Sequence, residues 1–234
     1  MSIAMEDGFY QDHERHGYTS LGIETLRSAE CIQRIIDQRI RGVFGSPHHG
    51  FTGTNLDFLR AMPWIESVWF WDTPLDNIDG LYALGNLRDF GVSSKRPGID
   101  FSRFPKLRQA VVEPKNKDRG LDALRELALL HLWHYRPKDA TFTALRLPAS
   151  LTQLQINWAN AASLETLPPL PNLRRLEIHR CRNLVNLGVL SEKFPMLEHV
   201  IVAACGRVTS AEGERAIQNL HTLSHVYIGG VHLV

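Results

Sequence analysis

The chain carries almost no excess charge of either sign: 26 Lys and Arg stand against 25 Asp and Glu in 234 residues, a formal net charge of +1. No global field therefore draws it to nucleic acid or to an anionic membrane. No apolar run approaches the length that crosses a bilayer. The first residues, MSIAMEDGFYQDHERHGY, lack the apolar centre of a secretory signal. Cysteine is scarce and odd in number, three in all, so there is no disulfide framework. No G-x-S-x-G, P-loop, H-E-x-x-H or dinucleotide fingerprint occurs. These absences predict a soluble, cytoplasmic protein, monomeric when free, that is not an enzyme and takes no cofactor.

What is present is a spacing. Five apolar slots in the pattern φ-x-x-φ-x-x-φ-x-x-φ-x-φ recur eight times, with the third slot at Ile65, Leu87, Leu107, Leu127, Leu151, Leu173, Leu197 and Leu223. One copy reads Leu121, Leu124, Leu127, Leu130, Leu132; another reads Leu167, Leu170, Leu173, Leu176, Ile178. Only Pro148 and Ser191 break the pattern, whereas a chain that is 44% hydrophobic would fill fewer than half the slots by chance. A period of 20 to 26 residues from Leu59 to Ile228 predicts a solenoid of stacked turns.

The second half of each copy, L-x-x-L-x-L, resembles the leucine-rich repeat. LRRLEIHRC (Leu173 to Cys181) and MLEHVIVAAC (Met196 to Cys205) carry its longer form. The resemblance implies an α/β, right-handed solenoid with a parallel sheet on its concave face. It also implies that Cys181, Cys205 and, in the first copy, Thr73 turn inward to bond backbone of the neighbouring coil. Lys95, Lys115, Tyr135, Ala159 and Val231 hold that slot elsewhere, so those turns are expected to be irregular. Small stand-alone bacterial proteins with Cys-containing C-terminal repeats are the nearest likeness.

The residues themselves support the same architecture. Apolar pairs two apart, such as Leu130/Leu132 and Leu176/Ile178, make short strands with one buried face. Pro63, Pro105, Pro171 and Pro195 precede strand leucines by two, where a missing N–H suits the approach to a strand. The short period leaves room for extended or 3₁₀ returns. Near the end, Thr209 followed by Glu212 is a capping-box pattern that starts a helix with Ala216, Ile217 and Leu220 inward. Upstream, Ser28 is the expected N-cap of a helix with the stripe Ile32, Ile35, Ile36 and Ile40. Residues 1–55 are read as an N-terminal cap with a degenerate first repeat around Val43 and Phe44, and 56–234 as the repeat domain.

Residues between the buried leucines face the partner. The first copy presents Ser67, Trp69, Trp71 and Asp72; the fourth presents His131, Trp133 and His134. The fifth offers Gln153, Gln155, Asn157 and Trp158, the sixth Arg175, Glu177, His179 and Arg180, and the last two His199, Ile201, His225 and Tyr227. Four of the five tryptophans fall in such slots. Trp, Tyr and Arg dominate binding hot spots, because they bury large areas and keep a polar handle. A competing reading packs the same rings on one another to cover the sheet, or folds Trp69 and Trp71 over the N-terminal loop.

The leading expectation is a binder of another protein through its concave face, an immunity-type inhibitor of a cognate toxin. An adaptor or substrate receptor is the alternative, although no F-box is recognisable. A histidine-based metalloprotein or hydrolase ranks third, since Gln155 and Asn157, between His131 and His179, are poor zinc ligands. Arg174, Arg175, Arg180 and Arg182 cluster around one turn, but Glu177 among them favours a mixed, solvated face over a nucleic-acid site.

Overall fold

The computed structural model describes residues 3–13, 17 and 19–234. Met1, Ser2, Glu14, Arg15, His16 and Tyr18, which belong to the expected cap, lie outside the described residues. Two units are distinguished, Met1–Gly120 and Leu121–Val234. The first holds β1 (Ile3–Glu6), β2 (Phe9–Asp12), β3 (Ser20–Gly22), β4 (Gly42–Gly45), β5 (Ser67–Phe70), β6 (Asp89–Val92) and β7 (Gln109–Val112). From β3 to β7 the strands pair in parallel in chain order. The second holds β8 (Leu129–Trp133), β9 (Gln153–Asn157), β10 (Arg175–His179), β11 (His199–Ala203), β12 (His225–Ile228) and β13 (Val231–His232), parallel from β8 to β12.

The leucine spacing explains the stacking. In the second unit Leu130, Leu154, Leu176, Val200 and Val226 share one register row, and Leu132, Ile156, Ile178, Val202 and Ile228 another; all are buried. Each coil thus removes its own leucines from water only by lying on the next. The returns are short 3₁₀ turns such as Asp57–Ala61, Asp79–Ala83 and Phe101–Arg103, as the narrow period requires. Polar side chains start them: Asn55, Asn77, Asp100, Ser163 and Asn186 each accept from the backbone N–H two residues on.

Helix α1 (Ser28–Gln38) lies between β3 and β4, but Ser28 is its first residue rather than its cap. Arg27 holds the cap position and makes no side-chain capping bond. Its buried residues are Cys31 and Ile35, with Ile36 exposed, so the inward stripe runs through the cysteine. After a single helical turn, α2 (Leu190–Lys193), comes α3 (Ser210–Ala216). There Thr209 Oγ1 accepts from the Glu212 N–H at 3.2 Å. Half of the capping box forms, because the Glu212 carboxylate instead accepts from Leu187 N–H and bonds Arg215.

One feature lies outside the sequence expectation. In each unit antiparallel strands flank the parallel run: β1 and β2 beside β3 in the first, and β13 beside β12 in the second. Short antiparallel additions of this kind blunt the open edge of a sheet. The coils ending near 95 and 115 leave the regular path, as Lys95 and Lys115 in the inward slot predict: neither Ser94 nor Pro114 takes the left-handed conformation found at that position in the other coils. Arg96, with no exposed side-chain surface, bonds both carboxylate oxygens of Asp118 at 2.7 and 2.8 Å and donates to the carbonyls of Pro97 and Glu113. Asp118 further accepts from Ile99 N–H and Lys115 N–H.

Candidate functional site

Thr73, Cys181 and Cys205 turn inward as the resemblance implies, whereas Lys95 and Val231 in the same slot are exposed. The turns at Tyr135 and Ala159, expected to be irregular, keep the regular left-handed residue, His134 and Trp158, before the slot. Thr73 Oγ1 donates to the carbonyls of Trp71 (3.2 Å) and Gly45 (3.5 Å). Cys181 Sγ lies 3.5 Å from the His179 carbonyl and 4.0 Å from that of Ile156; Cys205 Sγ lies 3.5 Å from Ala203 O and 3.8 Å from Ile178 O. The neighbouring Cys205 thiol and burial push the Cys181 thiol far above the ordinary range, so it stays protonated and unreactive.

One residue earlier the coil turns sharply. Asp72, His134, Trp158, Arg180 and Ala204 all have φ between 52° and 57°, in the left-handed region. The turn lets the N–H of His134 reach Asn157 O, that of Trp158 reach His179 O, and that of Arg180 reach Ala203 O, at 2.9 to 3.0 Å. Glycine meets this demand without steric cost, as at Gly230, but three successive coils carry His134, Trp158 and Arg180 instead.

These three residues gather with Trp133. The Trp133 and Trp158 ring centroids are 4.9 Å apart, His134 is 5.3 Å from Trp158, and the Arg180 guanidinium lies 4.8 Å over the Trp158 ring. The Trp158 carbonyl also accepts from Arg136 Nε at 3.4 Å. Both indoles are half-buried, and His134 and Arg180 are exposed. Asn157 differs from the expectation of an outward contact: only 4% of it is exposed, in register between the larger Trp133 and His179. Its side-chain oxygen accepts from Gln155 Nε2 at 3.1 Å.

On the neighbouring strand the Glu177 carboxylate holds Arg175 Nε at 2.5 Å and His179 Nε2 at 2.8 Å. Burial pushes this carboxyl up, but those two bonds outweigh it and hold it below the ordinary carboxylate range. Further along, His199 and His225 have ring centroids 6.1 Å apart, and the β13 residue His232 lies 5.4 Å from His225 and 5.0 Å from Tyr227. His199, His225 and Tyr227 of this row were expected outward from the sequence; His232 joins through the unforeseen terminal strand. Among the described residues no group of three or more His, Cys, Asp or Glu is arranged to hold a metal ion.

In the first unit Trp69 and Trp71 stack on each other, with centroids 5.7 Å apart and planes at 23°. Both are half-buried, and Asp72 beside them is exposed. Ser67, expected outward, is buried, as is its register partner Asp89. Trp69 lies flat across its own register partner, Gly91, where an added Cβ would fall 1.9 Å from an indole carbon. Gly91→Ala is therefore expected to cost about 1–3 kcal/mol of stability by displacing the ring, measured by denaturant unfolding. An unshifted midpoint would mean that Trp69 moves aside freely. The fifth tryptophan, Trp64, donates to Ile40 O and carries Arg39 on its ring.

No protein-family model matches the chain, and no curated protein matches it. Solved structures do. The leucine-rich repeat domain of the type III effector XCV3220 (XopL) superposes with a TM-score of 0.53 at 15% identity, covering 88% of this chain and 79% of that one. An internalin (InlF) from Listeria monocytogenes aligns at 12% identity and a TM-score of 0.42 over 80% of this chain and 67% of that one. The fold is the leucine-rich-repeat fold. No helix among the described residues is long and apolar enough to cross a membrane.

Proposed function

We propose that this chain is a non-enzymatic protein-binding module whose principal contact is the aromatic group Trp133, His134 and Trp158 with Arg180, on the concave side of the repeats. One observation carries the reading. Three coils in succession accept a bulky residue at a left-handed position that glycine fills without cost, and each of those residues joins a half-open aromatic and cationic surface. Strain of this kind is expected where a surface is kept for recognition. Glu177, His179, Arg175, His131 and Gln155 form its polar surround, His199 and Tyr227 extend it, and Trp69, Trp71 and Asp72 are a second contact patch in the first unit.

The finer reading is an immunity-type inhibitor that occludes a cognate toxin in the cytoplasm of a bacterium, with residues 1–55 acting as a cap. Affinity capture from the native host, followed by mass spectrometry, tests it. A single stoichiometric toxin supports inhibition, whereas a spread of weakly held clients overturns it in favour of an adaptor. Trp133→Ala is expected to weaken capture by about 2 kcal/mol or more, roughly thirtyfold. Unchanged capture with lowered stability would mean that the rings only cover the sheet.

A further inference from the structure

We infer that the partner meets this face with an acidic segment, and that a carboxylate of that segment seats against Asn157 and Arg180. The inference rests on the protein-binding reading above and adds the chemistry of what is bound.

Charge is one-sided here. Among the outward residues of β8 to β12 the only carboxylate is Glu177, and both of its oxygens are engaged, by Arg175 and His179. Arg175 and Arg180 are exposed, and Arg136, at the strand exit, is exposed as well. At the strand entries Arg174 and Glu198 pair with each other and leave no surplus.

The second observation is independent of charge. Asn157 is buried, its oxygen is satisfied by Gln155, and its Nδ2 has no hydrogen-bond partner. A buried N–H left without an acceptor is costly, and the group that relieves it must bring an oxygen. That donor sits between Trp133 and His179 in register and next in sequence to Trp158, on whose ring Arg180 rests. An anionic oxygen suits this place, since it accepts from the amide once a flanking side chain turns aside, and the exposed Arg180 guanidinium lies over the ring of the next residue, Trp158. A polypeptide is favoured over nucleic acid because the cations are few and are interleaved with Glu177, whereas phosphate backbones are held by continuous Lys and Arg stripes.

The test uses the full chain and two labelled peptides of about 12 residues, long enough to cross several strands. One alternates Glu and Tyr; the other has Gln in place of every Glu. Fluorescence anisotropy is expected to show the Glu peptide binding about tenfold more tightly, with the difference shrinking as salt is raised. The double variant Arg175→Ala/Arg180→Ala, at exposed positions, is expected to remove that preference, and so is Asn157→Leu if it folds. Equal binding of the two peptides, binding of neither, or equally tight binding of a single-stranded DNA of matched length overturns the acidic assignment. Capture by Trp133→Ala is scored separately. If that variant still loses its partner while the peptides do not differ, the interface stands and only its charge preference falls.

Discussion

Trp158→Gly is expected to weaken partner capture at least roughly thirtyfold while leaving the melting temperature nearly unchanged. Trp158 sits at φ 52°, where a bulky residue costs about 1–3 kcal/mol and glycine costs nothing. Loss of the indole removes its contacts with Trp133, His134 and Arg180, about 0.5–1.5 kcal/mol for an aromatic pair. The two changes oppose each other in the folded protein but not in the complex. There the expected loss is about 2 kcal/mol or more. Trp158→Ala provides the control, because it removes the same ring without relieving the backbone, and it should be the less stable of the two. Should both variants unfold easily yet hold the partner at full strength, Trp158 is a structural residue and the proposed contact is wrong.

Asp118→Ala should produce the largest loss of stability, about 3–5 kcal/mol, read from denaturant unfolding of the full chain. Its carboxylate is the counter-charge of Arg96, whose side chain has no exposure, and it also ties the amides of Ile99 and Lys115. Removing it strands a guanidinium away from water. The double variant Arg96→Met/Asp118→Ala should recover part of that loss, since no unpaired charge remains. A cost below about 1 kcal/mol for the single variant would mean that the loop opens and lets water reach Arg96.

This ion pair also marks where reading the sequence ran out. The repeat spacing puts Lys95 and Lys115 at inward positions and predicts irregular turns there. The turns are irregular, and one cause is local. Pro114 occupies the exit position, and its ring locks φ near −65°, so the left-handed turn of the other coils cannot form. Which residue then fills the interior was not legible. Arg96 follows Ser94 and Lys95, which look solvated, and its counter-charge, Asp118, comes from twenty-two residues on.

The candidate contact was legible to a different degree. Alternation along each strand placed Trp133, His131, Gln155 and Glu177 on the same side, because strand period and register are local consequences of the leucine spacing. Asn157 was misplaced because burial of a short side chain depends on the size of its cross-strand neighbours, here Trp133 and His179. The left-handed backbone at His134, Trp158 and Arg180 left no trace in residue type, since glycine holds that slot only in the last of these coils, at Gly230. By contrast the Asn and Asp residues that open the returns were readable from their turn chemistry and were passed over.

The sequence by itself determined the coil: leucines at i, i+3, i+6, i+9 and i+11 can leave water together only on a short strand followed by a narrow return. It also determined which side chains stand on the far side of that strand. Only the tertiary structure decided which of those side chains meet, because a ring's neighbours come from coils more than twenty residues away. It set Trp158 beside Trp133 and Arg180, buried Asn157 between larger neighbours and drew Arg96 inside. Those contacts answer to packing and to the pairing of buried charge, which no single stretch of the chain specifies.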